Sequence, residues 1–111
     1  MIARIWRGRT RIEHANEYEE YVNKTGVTQQ RLTPGNRGSM VLTRVEADGA
    51  EFLVVSLWES WDAVRAFAGE RPELAVYYPE DESFLLELVP EVCHYEVSIA
   101  DLPLGRAGFG L

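Results

Sequence analysis

An α+β fold of ferredoxin-like order, β-α-β-β-α-β, follows from three observations on this chain. Two-residue alternation of apolar side chains marks four strands, over residues 2–10, 39–46, 52–58 and 92–99. Apolar repeats at three and four residue steps mark one helix after the first strand and one after the third. Asp48-Gly49 is a hairpin signal that makes the second and third strands antiparallel neighbours.

The first strand puts Ile2, Arg4 and Trp6 on one face and Ala3, Ile5, Arg7 and Arg9 on the other. Over residues 13–25 the period becomes helical, with Ala15, Tyr18, Tyr21, Val22 and Thr25 on one stripe. Gly26 is the expected stop, and residues 27–31 add a further short turn. Pro34-Gly35-Asn36 turns the chain into the second strand. Ser60 is the expected N-cap of the second helix, Asp62 suits its positive end, and Gly69 closes it. Trp61, Val64, Phe67 and Ala68 form that helix's apolar stripe. Pro72 is placed to open a helical turn over residues 74–78, which Pro79 interrupts. Residues 83–89 are apolar and fit helix or strand equally.

The third strand is apolar on both faces: Phe52, Val54 and Trp58 on one, Leu53, Val55 and Leu57 on the other. Right-handed crossovers place both helices on a single face of the sheet. The uncovered face, with Ile2, Trp6, Met40 and Leu42 assigned to it, is too apolar for water. A second copy packed on it gives a homodimer and a barrel closed across the pair, a dimeric α/β barrel.

At 111 residues and 46% hydrophobic, the chain has the material for one core. The expected organisation is one domain over residues 1–99 and a glycine-containing C-terminal tail or arm over residues 100–111. The net charge of −7 argues against a nucleic-acid partner. No apolar run approaches the ~20 residues of a membrane span. With strand-like sequence from the start and a lone Cys93, the expected location is cytoplasmic. Metal-binding spacings and a glycine-rich phosphate loop are missing from the sequence, so no metal is expected.

The run Leu57-Trp58-Glu59-Ser60 leading into Trp61-Asp62-Ala63-Val64-Arg65-Ala66-Phe67 resembles the antibiotic biosynthesis monooxygenase family of the dimeric α/β-barrel superfamily. The opening MIARIWRG, the turn PGNRG, Tyr77-Tyr78-Pro79-Glu80-Asp81 and His94-Tyr95-Glu96-Val97 fit one bacterial branch, so the resemblance spans residues 1–97. It implies a pocket between helices and sheet in each subunit. It also implies cofactor-independent oxygenation of a small aromatic, phenol- or anthrone-like, in which the deprotonated substrate supplies electrons to oxygen. Haem-degrading relatives carry an Asn, a Trp and a haem-ligating His where this chain has Arg7, Phe67 and Tyr77. Those departures weaken haem as a cofactor, although Tyr can ligate haem iron. Non-catalytic small-molecule-binding or stress-associated members share the fold and form the competing class.

Each candidate residue has a structural reading beside the functional one. Trp58, Trp61 and Phe67 suit an aromatic substrate pocket, or a hydrophobic core. Tyr77 and Tyr78 suit donation to a substrate carbonyl or phenolate, or closure of the barrel rim. His94, in the fourth strand, suits a general base or a packed, hydrogen-bonded ring. Arg7 faces the helices if Ala3 and Ile5 do, and there it would hold a substrate anion or pair with Glu17 or Glu20. Arg4, on the opposite face with Trp6, is the expected bridge to the partner.

Overall fold

The computed structural model describes residues 1–102. Strands β1 (Ile2–Thr10), β2 (Asn36–Glu46), β3 (Gly49–Trp58) and β4 (Cys93–Glu96) form one antiparallel sheet of order β2-β3-β1-β4. Together with the helices between them this is the expected ferredoxin-like α+β topology. β2 and β3 join through a two-residue loop, Ala47-Asp48, because Glu46 pairs with Gly49. Gly49 is therefore the first residue of β3 rather than part of the turn. A Cβ there would lie 2.7 Å from the Thr10 carbonyl oxygen, so glycine lets β3 start close against β1.

After β1, a 3₁₀ turn (Ile12–His14) leads into α1 (Ala15–Val22), a π-helical segment (Asn23–Val27) and α2 (Thr28–Leu32). The junction residues keep right-handed helical backbone angles, so these pieces form one rod. Gly26 does not end it, contrary to expectation, since its backbone does not enter the positive-φ region. The rod stops at Thr33, which is extended before Pro34 as a residue preceding proline prefers. Within the wide turns, Thr25 Oγ1 donates to the Tyr21 carbonyl (2.7 Å) and Thr28 Oγ1 to that of Asn23 (2.6 Å).

α3 (Trp61–Ala68) begins as anticipated: the Ser60 hydroxyl accepts from the Ala63 amide at 3.1 Å. It ends at Gly69, whose φ of 93° suits glycine. Residues 74–78 are irregular rather than helical, tied to the β4 approach by a Leu74–Glu91 bridge. A single turn, α4 (Asp81–Phe84), follows, and Leu85 then bridges to Thr10. β4 is four residues, shorter than expected, and most of the C-terminal tail lies outside the described residues.

The register corrects the assignment of the two sheet faces. Ile2, Arg4, Trp6, Gly8 and Thr10 pair with Trp58, Ser56, Val54, Phe52 and Ala50, and this is the helix-covered face. One core cluster forms there around Tyr18, Val22, Phe52 and Val54 beneath α1. A second forms around Ile2, Trp58, Ala63 and Val64 beneath α3. Arg7 therefore points away from the helices, on the open face, where it and Arg44 pair with Glu51 at 2.5 and 3.1 Å. Arg4 is buried under the helices rather than offered to a partner. The open face carries Ala3, Ile5, Met40, Leu42, Leu53, Val55 and Leu57, with Cys93 and Tyr95 at the β4 edge. The inversion has a simple cause: the bulkier apolar side chains of β1, Ile2 and Trp6, follow Phe52, Val54 and Trp58 into the core.

Candidate functional site

Tyr18, Val22, Gly26 and Gln30 recur every four residues along the helical rod, and all four line one cavity. In a uniform α-helix such a row drifts around the axis. The wider π turn at Asn23–Val27 sets that drift back and keeps the row facing the sheet. Arg4, Trp6 and Val54 close the cavity from the sheet, and Phe67, Val76, Tyr78 and Asp81 from the opposite side. Its volume is ≈ 50 Å³, room for a few water molecules.

Among the described residues Arg4 is the one cation on this wall, and only 3% of its surface is exposed. Its guanidinium donates to the Pro72 carbonyl and, at 2.9 Å, to the Leu74 carbonyl. It also lies 5.8 Å from the centre of the Phe67 ring, a cation–π arrangement. Among the described residues no carboxylate forms a salt bridge with it. Burial pushes its pKa down to about 10, which still leaves it charged at neutral pH. An enclosed cation without a counter-ion is electrostatically costly, and an anion in the cavity would relieve that cost.

Asp81 organises the opposite end. Its oxygens accept from the Tyr18 hydroxyl at 2.8 Å and from the Tyr78 amide at 2.6 Å. Burial, the hydrogen bond to Asp81 and its charge push the Tyr18 phenol far above the usual tyrosine range. Burial, then Asp81, raises that of Tyr78 as well. Both phenols remain protonated donors under ordinary conditions.

Of the residues singled out from sequence, Tyr78 and Phe67 reach the cavity wall. Tyr77 does not: it donates its hydroxyl to the Val89 carbonyl and packs edge-on against Trp6 at 6.3 Å. Burial raises its pKa and the Trp6 indole opposes that rise. Trp58 is fully enclosed core, stacked on Phe67 at 5.5 Å with its indole donating to Ser56 Oγ at 2.9 Å. Trp61 lies outside, 41% exposed, over the His94 ring at 4.9 Å. His94 stands behind Arg4, its Nε2 3.0 Å from Nη1. Arginine can only donate, so the ring is neutral with Nε2 accepting. Burial and then the Arg4 charge hold its pKa below the ordinary histidine value.

Arg4, Tyr18, Gln30 and Asp81 are the site residues that sequence reasoning missed. Pairing Ile2 and Trp6 with the bulky residues of β3 would have exposed Arg4, which shares their parity. Gln30 was legible as a polar residue at the end of an apolar four-residue row. The Tyr18–Asp81 bond joins positions 63 residues apart and has no local signal.

These features define a ferredoxin-like α+β fold, an antiparallel sheet covered on one face by helices. Solved structures agree at the level of the fold. A putative antibiotic biosynthesis monooxygenase from Bacillus cereus superposes with a TM-score of 0.63 at 17% identity, covering 95% of this chain and 98% of that one. The haem degrader MhuD from Mycobacterium tuberculosis, with two haems in its active site, gives 0.57 at 19% identity over 91% and 99%. A point mutant of MhuD with two manganese protoporphyrins per active site gives 0.57 at 20% identity over 91% and 98%. No family model and no curated protein matches the chain.

The residues here do not fit a haem. The Tyr77 hydroxyl is spent on a backbone carbonyl away from the cavity, and among the described residues no histidine lines the wall, so neither is placed to ligate a haem iron there.

Proposed function

We propose that this protein binds a small aromatic anion and, where that anion is an electron-rich phenolate, oxygenates it without a cofactor. The observation that carries this reading is Arg4, buried on the wall of an aromatic cavity and lacking a carboxylate partner among the described residues. A cation in that position lowers the pKa of a bound phenol and holds the electron-rich anion that dioxygen attacks. Tyr78 donates to a carbonyl or phenolate oxygen of the guest. For an anthrone-like substrate, one oxygen atom becomes the new ring carbonyl. The other leaves as water with the two hydrogens of the oxidised carbon, and the substrate supplies all four electrons. A ring enlarges the cavity by moving Phe67, Val76 and Tyr78, the last two on irregular backbone.

Two copies pair through the open sheet face in this reading. Its apolar strip, with Tyr95 60% exposed at the edge, is the surface such a partner would cover.

A non-catalytic binder is the second reading. It is favoured by the commitment of every candidate base: Asp81 to Tyr18 and Tyr78, Tyr77 to Val89, and His94 to Arg4. Oxygen-electrode measurements with a hydroxyanthrone, without added metal, separate the two. Enzyme-dependent oxygen uptake with quinone formation, lost in Arg4→Met, supports oxygenation. Saturable binding with no uptake leaves the binder.

A further inference from the structure

Gln30 is 5% exposed, lines the cavity, and its amide oxygen has no hydrogen-bond partner among the described residues. The described side-chain bonds of this wall belong to Arg4, Tyr18, Thr25 and Asp81, none of them to Gln30. A buried amide oxygen without a protein partner in a mainly apolar site is unfavourable for stability. The fold goes out of its way to hold it there, because the π turn carries the helical row onto this position. A leucine or methionine would fill the same place without an unpaired group.

From this we propose that Gln30 is a specificity-determining residue that reads a hydroxyl on the ligand, so that the guest is a hydroxylated aromatic acid. This rests on the reading of the cavity as an anion site: Arg4 takes the acidic group and Gln30 accepts from the hydroxyl. A primary amide both donates and accepts, so either rotamer of the amide satisfies a hydroxyl. Thr25 does not compete for the role, since its hydroxyl is bound to the Tyr21 carbonyl. A site built to hydrogen-bond a substrate hydroxyl discriminates against the analogue lacking it more sharply than an apolar wall could.

The test is calorimetric titration of 4-hydroxybenzoate and benzoate into the full chain and into its Gln30→Met variant, with melting curves of both proteins. The wild type binds the hydroxylated acid about tenfold tighter than benzoate, and Gln30→Met erases that preference, so that the two acids bind the variant within about twofold of each other. Gln30→Met melts no lower than the wild type. A variant that melts lower, or loses both ligands equally, makes Gln30 a structural residue and overturns the proposal. Equal wild-type affinity for the two acids overturns it too while sparing the anion site. Binding of neither acid by the wild type removes the anion reading itself and Gln30's role with it.

Discussion

Trp58 beneath α3 and Gln30 on α2 are both enclosed by the same sheet face, yet only one is satisfied. Trp58 stacks on Phe67 and gives its indole hydrogen to Ser56, so it is both packed and paired. Gln30 borders open volume and leaves its amide oxygen without a partner. The helices above them differ in the same sense. α3 has a side-chain cap at its start and a glycine at its end, whereas the α1–α2 rod has no side-chain cap and is interrupted by a π turn. The β-α-β unit is used twice, once for stability and once to hold a cavity.

The contrast can be broken most severely at its packed end. Trp58→Ala should cost about 3–5 kcal/mol, the range for deleting a large aromatic from a core, read as a lower denaturant midpoint. At the cavity end, Asp81→Ala should cost about 2–3 kcal/mol, because the enclosed Tyr18 hydroxyl loses its acceptor. In a double-mutant cycle with Tyr18→Phe the two losses should be strongly non-additive. Simple addition would mean that the Tyr18–Asp81 bond contributes nothing.

Gly26→Ala sharpens the comparison in the opposite direction. A Cβ there meets Tyr78 at an ordinary 3.7 Å, and the backbone is already helical, so stability should rise by about 0.5–1 kcal/mol. The added methyl narrows the cavity, so ligand affinity should fall as stability rises. A variant that is more stable and binds as well as the wild type would separate the helix irregularity from the site.

The smallest expected effect is on pH dependence. His94 has a depressed pKa in the folded chain, so the folded state takes up its proton less readily than the unfolded state. Its contribution to stability is full above the ordinary histidine value near 6.5 and is lost as pH falls through the lower folded value. Protonation would set a second cation against Arg4, 3.0 Å away. In His94→Asn the fall in melting temperature between neutral and mildly acidic pH should be shallower than in wild type. An unchanged slope would place the acid sensitivity elsewhere.

The architecture was legible because period-two strands, period-four helices and turn residues are local signals. The order of elements, the Ser60 cap and the Gly69 stop all follow from them. What escaped were choices settled by tertiary packing. Arg7 and Arg4 exchanged roles because alternation gives two faces but not which one the helices cover; the register with β3 decides that. Gly26 reads as a stop, yet glycine in a right-handed helical conformation ends nothing. The cavity wall draws on β1, β3, the helical rod, α3 and the irregular segment before α4, so its chemistry could not be read from any one stretch.

The measurement that bears most directly on the central claim compares an aromatic anion with its neutral twin. In calorimetric titrations at neutral pH and moderate salt, 2-naphthoate and 2-naphthamide differ chiefly in charge. Arg4, a buried cation with no carboxylate partner among the described residues, predicts that the carboxylate binds at least about tenfold tighter, a difference set by an ionic hydrogen bond in a desolvated site. Equal affinities, or tighter binding of the amide, would contradict the account.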